Sequence, residues 1–256
     1  VAGAEDCGES IDSLAAKDCL TTVGKVTPTG FTGLDKVIRG FGDTDLIVVG
    51  GHGKSGKTTA AIQLAFDMSR VDHTNYYSLE MPREEIIQKL VCRKAHVEYD
   101  RLTSGKMSSE EKSRVQTTLD SFRSGMYKFN IYDKYMHIDA ILAHAKIAQM
   151  QHNLKRIVVD YVQLCEATRE KGMSRYEVVG SISRKLKLFA NRNHVNVVAL
   201  SQMNGDPKER PTLQSFRESG NIGQDCNIGI AVWNDVKDSQ YKFIIMPGRR
   251  CPETDV

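Results

Sequence analysis

Short apolar runs alternate along this chain with longer stretches whose apolar residues recur at helical spacing. The run 46–49, Leu46-Ile47-Val48-Val49, is mostly β-branched and is followed by two glycines. A run that short and that uniformly apolar predicts a strand buried on both faces. Comparable runs at 75–81, 129–133, 156–160, 194–202, 228–233 and 241–246 predict further strands. Between them the periodicity predicts helices over 57–70, 83–96, 108–123, 138–152 and 176–193. In the last, Val178, Val179, Ile182, Leu186 and Phe189 share a face. Ser108 with Glu111 reads as a capping box at the start of its helix. Leu34, Val37 and Ile38 suggest a short helix among the glycine turns of 28–45, while 166–175 and 203–225 read as loops. Residues 1–27 form an N-terminal segment, with Ile11 and Leu14 on one side of a short amphipathic helix or in a frayed terminus. Alternation of this kind predicts an α/β fold for 28–256, with a mostly parallel twisted sheet and helices on both faces. Ligands of such sheets gather at the carboxyl ends of the strands.

That rule gives weight to the residues just after the first run. Gly51-His52-Gly53-Lys54-Ser55-Gly56-Lys57-Thr58 fits G-x-x-x-x-G-K-[ST], between a strand and a helix as the motif requires. The glycines let successive backbone N–H groups converge on phosphate oxygens, and the helix adds its positive end. Gly51, Gly53, Lys54, Ser55, Gly56, Lys57, Thr58 and Thr59 are therefore the candidate nucleotide-binding residues. Lys57 brings a point charge to the β- and γ-phosphates of ATP, and Thr58 a hydroxyl to Mg²⁺.

Hydrolysis of a nucleoside triphosphate also needs an acid to help hold Mg²⁺, a group to activate water, and positive charge at the transferred phosphoryl group. Asp160 ends an apolar run, as a metal-linked acid does. Glu80, near the end of another run, is the candidate base, and Gln202 the candidate contact to the γ-phosphate. No arginine is obviously placed to reach that phosphate from within the domain. Arg249 and Arg250, just past the last run, would suit a finger offered to a neighbouring subunit of a ring.

Composition narrows this picture little. A net charge of +3 is compatible with a nucleic-acid partner and too small to argue for one. The six cysteines are scattered without a C-x-x-C pair, which argues for reduced thiols in the cytoplasm and against a disulfide framework or zinc site. No stretch approaches the length of a membrane span. The chain opens with Val and stops soon after a strand-like run, as a fragment of a longer protein would.

Several short motifs then occur in a telling order. They are Thr29-Gly30-Phe31 with Leu34-Asp35, Gly40-Phe41, Ser78-Leu79-Glu80-Met81, Asp160-Tyr161-Val162-Gln163-Leu164, Leu200-Ser201-Gln202, and Arg217-Glu218-Ser219-Gly220 with Gln224-Asp225. Together they resemble the RecA-like motor domain of DnaB-type replicative DNA helicases, from about Thr29 to the C-terminus. The resemblance implies an ATP- and Mg²⁺-dependent motor that assembles as a hexameric ring and translocates on single-stranded DNA, with primase or a helicase loader as further partners. It implies Glu80 as catalytic base, Lys57 and Thr58 on phosphates and Mg²⁺, Asp160 as the metal-linked acid and Gln202 as sensor. It places Arg217, Glu218 and Gly220 in the channel loop that holds DNA, and Arg249 as the finger given to the adjacent subunit. Residues 9–20 would be a remnant of the family's linker helix. Arg169, Lys171, Arg175, Lys208 and Arg210 are further cations suited to DNA phosphates.

Departures from the family pattern are those expected of a divergent, phage-encoded member. Pro247 and Cys251 replace the usual Lys and Gly around Arg249, with Arg250 a second candidate for the finger. Gly223 and Asn227 stand where acids are usual, and Thr44 where Gly is. A RecA/RadA-type recombination ATPase remains an alternative, sharing the phosphate loop and Asp160 but lacking the other motifs. A non-catalytic ring or loader-binding module is a second alternative, suggested by Pro247.

Overall fold

The computed structural model describes residues 26–168, 172–212, 215–216, 222–235, 240–246 and 254–256. The helix anticipated around Ile11 and Leu14 lies outside them, as do Arg169 and Lys171.

A small antiparallel pair, β1 (Val26–Thr27) with β2 (Phe41–Gly42), brackets helix α1 (Thr32–Ile38). Asp35 fixes the turn before α1 by accepting from the Thr29 and Gly30 N–H groups at 2.7 and 3.1 Å and from Thr29 Oγ1 at 2.8 Å. The main sheet comes next. Its strands are β3 (Leu46–Gly51), β4 (Thr74–Ser78), β5 (Phe129–Tyr132), β6 (Arg156–Asp160), β7 (Asn196–Gln202), β8 (Ile228–Asp235), β9 (Gln240–Met246) and β10 (Thr254–Asp255). In space they lie in the order β10-β9-β8-β3-β7-β6-β4-β5. From β5 through β8 every neighbouring pair is parallel. At the other end β9 is antiparallel to β8, with Met246 opposite Gly229, and β10 is antiparallel to β9. A parallel connection needs a crossover of a dozen or more residues, so the short 236–239 connection requires the reversal.

Helices cover both faces. α2 (Lys57–Met68) and α3 (Arg83–Ala95) pack with α1 over Ile47, Val49, Tyr76, Val158, Val198 and Leu200. On the opposite face, α6 (Ile138–His152) and α7 (Arg175–Asn193) cover Leu46, Val48, Tyr77, Ile157, Val159 and Val197. Successive strand residues thus serve two cores, which is why the strands read as unbroken apolar runs. Between β4 and β5 stand α3, α4 (Tyr99–Thr103) and α5 (Ser109–Arg123). The capping box is present: Glu111 N–H donates to Ser108 Oγ at 3.2 Å, and Ser108 N–H donates to Glu111 Oε2 at 2.7 Å.

Among the boundaries that differ from the sequence reading, three have a visible cause or bear on the site. The strand anticipated over 75–81 stops at Ser78, whose hydroxyl donates to the Met81 carbonyl at 2.6 Å and accepts from the Met81 N–H at 3.1 Å. That side chain turns the backbone out of the sheet. His194 begins no strand. It is the left-handed C-cap of α7, with φ 50° and its N–H on the Ala190 carbonyl. The 203–225 loop contains a short helix, α8 (Ile222–Asp225). Asn227 anchors the start of β3 without a charge, its Oδ1 accepting from the Leu46 N–H at 2.9 Å and from Lys187 Nζ at 2.5 Å.

The amino-terminal edge of the parallel strands is tied by a buried polar network. Arg156, 1% exposed, donates to Asn196 Oδ1 at 3.0 Å and to Thr74 Oγ1 and Asp72 Oδ2, both at 3.4 Å. Thr27 also donates to Asp72, and Asn196 donates onward to the Gly42 and Asp45 carbonyls at 3.0 and 3.2 Å. Burial lowers the Arg156 pKa to about 10, with Asp72 pulling it back up.

Near the edge of the sheet, Tyr77, Tyr132, Tyr135 and His144 form a ring cluster, and the Tyr77 hydroxyl lies 2.7 Å from His144 Nδ1. Burial holds the His144 pKa below its usual 6.5. In the intervening window the unfolded chain binds more protons than the folded one, so stability is full above about pH 6.5 and is lost as pH falls through the lower folded value. The thermal midpoint is expected to drop on acidification below about pH 6.5, and His144→Gln to flatten that part of the curve in a scanning fluorimetry series. An unchanged slope in the variant would assign the acid sensitivity elsewhere.

Candidate functional site

The central strand β3 ends at Gly51, and the chain enters α2 at Lys57. The end of β3 and the loop after it need their glycines for space and for conformation. A Cβ on Gly50 would run into the Phe216 ring and Met203 Sδ, and one on Gly51 would collide with Ser55 Oγ and stand 3.2 Å from the Val232 carbonyl oxygen. Gly56 and Lys54 are left-handed, with φ 83° and 64°. Nothing lies within 4 Å of a Cβ placed on Gly53, so the backbone there faces open space. The resulting cradle bounds a cavity of about 350 Å³ lined by residues 51–59 together with Glu80, Tyr161 and Gln202. All eight candidate nucleotide-binding residues therefore line one space, and three further strands deliver side chains to it.

Glu80 reaches it from the turn after β4. That turn is held by the Ser78 hydroxyl and by the Leu79 N–H, which donates to the Asp160 carbonyl at 2.7 Å. Glu80 and Asp160 are thereby fixed to each other through backbone. Glu80 itself is exposed.

Asp160 ends β6 and is 1% exposed. Its Oδ2 accepts from the Tyr76 hydroxyl at 2.6 Å. Its Oδ1 is buried and has no hydrogen-bond partner among the described residues, and the same holds for Ser55 Oγ at the base of the loop. Buried polar atoms in native proteins are normally satisfied, so two orphans beside one cavity point to a ligand. Burial pushes the Asp160 carboxyl up, while the Tyr76 hydrogen bond, the Lys57 charge and the Thr58 hydroxyl pull it back down. Burial likewise lowers Lys57, opposed by Asp160 and Glu80. The Lys57 ammonium lies 4.5 Å from the centre of the Tyr161 ring. Among the described residues no group of three His, Cys, Asp or Glu could hold a metal. A Mg²⁺ ion here would rest on Thr58, Asp160 and the substrate's own oxygens, and the orphaned Oδ1 fits that demand.

Gln202 leaves the end of β7 into the cavity, and the next N–H, of Met203, donates to the Gly51 carbonyl at 3.0 Å. Sequence reasoning missed Tyr76 and Tyr161 as parts of this site. Tyr76 is found only through register: Ser78 pairs with Asp160, and Tyr76 with Val158 two places earlier. Arg217, Glu218, Gly220 and Arg249 lie outside the described residues. Arg175, read as a cation for DNA, donates to the Gln163 carbonyl at 2.5 Å. No helix among the described residues is long and apolar enough to cross a membrane.

A phosphate loop after the central strand of a parallel αβα sheet, with a buried acid two strands away, defines a RecA-like ATPase core. The chain belongs to the DnaB-like helicase C-terminal domain family, whose model matches residues 27–253. It is 31% identical over 234 residues to the replicative DNA helicase DnaB of Geobacillus stearothermophilus, covering 87% of this chain and 51% of that protein. It is 32% identical over 237 residues to the DnaB of Haemophilus influenzae, covering 89% and 50%. The chain thus spans about half the length of these relatives. The ATPase domain of G40P superposes with TM-score 0.86 at 27% identity, over 97% of this chain and 94% of that one. A DnaB-like replicative helicase described with its interactions with primase superposes with TM-score 0.83 at 27% identity, over 99% and 65%.

Proposed function

We propose that residues 28–256 are the motor domain of a replicative DNA helicase, which hydrolyses ATP, assembles as a hexameric ring and translocates on single-stranded DNA to unwind duplex. The observation that carries this reading is the convergence of the phosphate loop, Glu80 and Gln202 at one cavity of a DnaB-like domain, with the buried Asp160 tied to the Glu80 turn through the Leu79 N–H. Lys57 and the loop N–H groups bind the β- and γ-phosphates. Thr58 and Asp160 hold Mg²⁺, which neutralises charge on the phosphates when bound. Glu80 orients the attacking water and accepts its proton. Gln202 touches the γ-phosphate, and Arg249 of the neighbouring subunit completes the positive charge around it. The nucleoside half fits the adjoining cavity of about 540 Å³, which shares Gly56 and Thr59 with the first and adds Arg93 and Tyr241. Arg217, Glu218 and Gly220 grip the DNA backbone, residues 9–20 belong to a linker to the next subunit, and primase or a loader binds the assembled ring in the cytoplasm.

Complementation tests the composite site. Lys57→Ala and Arg249→Ala proteins are each expected to hydrolyse ATP at about a hundredth of the normal DNA-stimulated rate or less. Mixed together they should regain part of it, because some interfaces then pair an intact cradle with an intact finger. Retained activity in Lys57→Ala would remove the active-site assignment. No recovery on mixing would remove the shared site.

A further inference from the structure

Gln163 lies in the 3₁₀ turn Val162–Leu164 that follows β6. Its side-chain amide meets the end of β7 at three points. Oε1 accepts from the Gln202 N–H at 3.2 Å, and Nε2 donates to the Gln202 carbonyl at 3.1 Å and to Ser201 Oγ at 3.0 Å. Donor and acceptor are needed side by side, so a carboxylate or an aliphatic group of the same length could not make the set. The clamp grips the backbone at the point where Gln202 leaves the sheet for the cavity. From the other direction, the Gln163 carbonyl accepts from the guanidinium of Arg175, the first residue of α7. The preceding Ser174 is the N-cap, locked to Glu177 by a capping box, so Arg175 sits on a firm helix start. One residue therefore holds the Gln202 backbone and is itself held by the beginning of α7.

We propose that Gln163 is a positioning residue for ATP hydrolysis, setting the backbone of Gln202, and that Arg175 ties this clamp to the start of α7. The inference rests on the assignment of Gln202 to the γ-phosphate made above.

The test is steady-state hydrolysis by the full-length protein at saturating oligo(dT), with ATP and DNA dissociation constants measured separately. Gln163→Leu is expected to lower kcat about tenfold or more with the ATP Kd changed less than about twofold, and the Gln163→Leu/Gln202→Ala double variant to be no slower than Gln202→Ala alone. Gln163→Glu, which can still accept from the Gln202 N–H, should fall between. Ser201→Ala deletes one contact without touching the turn and should lower kcat by about twofold, keeping the question open to measurement if Gln163→Leu folds poorly. Arg175→Met should lower kcat at saturating DNA with the DNA Kd unchanged. Wild-type turnover in Gln202→Ala would overturn the sensor assignment and the clamp with it. A slow Gln202→Ala beside a normal Gln163→Leu, or losses that multiply in the double variant, would overturn the clamp alone. An Arg175→Met effect confined to DNA affinity would overturn the tie to α7.

Discussion

Glu80→Gln is expected to lower ATP turnover by about 10²- to 10⁴-fold while leaving nucleotide affinity close to normal. The amide has nearly the same shape and takes away the basic oxygen together with its charge. The turn that carries residue 80 is made by other atoms, the Ser78 hydroxyl and the Leu79 N–H on the Asp160 carbonyl, and survives the change. On the proposed reading binding rests on the loop N–H groups and Lys57, and Glu80 acts on Lys57 only through its charge. Phosphate release at saturating ATP and titration with a fluorescent nucleotide separate the two quantities. A parallel fall in both would make Glu80 a binding group, and a rate within about threefold of normal would remove it from proton transfer.

The second large effect is structural and lies at the opposite edge of the sheet. Asp72→Ala is expected to destabilise the fold by about 3–5 kcal/mol, because it leaves the buried Arg156 guanidinium without its counter-charge. For a domain of this size that is a fall in Tm of about 10 °C. Asn196 and Thr74 still accept from Arg156, but neither carries charge. Asp72→Ala/Arg156→Met should recover much of the loss, since an apolar side chain of similar length fills the space without a stranded ion. Thermal melts of both variants check this. A loss under about 1 kcal/mol in the single variant would mean that water reaches the guanidinium when Asp72 is gone.

The parts of this molecule written in contiguous residues are legible from the chain alone. Gly51 to Thr58 carries its own geometry, because left-handed turns and close backbone approach leave few residue choices. The parallel strands are visible because two helical layers demand apolar side chains on both faces, as with Ile47 and Val48. Asp160 and Gln202 can be read as site residues because strand ends are where such sheets bind ligands. The hidden parts depend on neighbours distant in sequence. Tyr76 supports Asp160 only because β4 lies beside β6 in that register. Gln163 is visible as part of a motif, but its grip on Gln202 needs the turn after β6 to meet the end of β7. The end of β4 escapes the apolar pattern, which continues to Met81, because the Ser78 hydroxyl is a local competitor for backbone hydrogen bonds and outweighs it.

The reversal at β9 has a consequence for how copies of this chain meet. β3 runs toward the phosphate cradle, whereas β9 runs away from it and reaches Met246 level with Gly229, near the start of β8. The chain re-enters the sheet at Thr254, opposite Ile245. On the proposed reading each molecule has a giving side and a receiving side. Such contacts are heterologous: each copy hands its arginine onward and takes one from behind. They propagate in one rotational sense until the rotation closes. On that reading the antiparallel turn at β9 is what would separate the giving side of each copy from its receiving side.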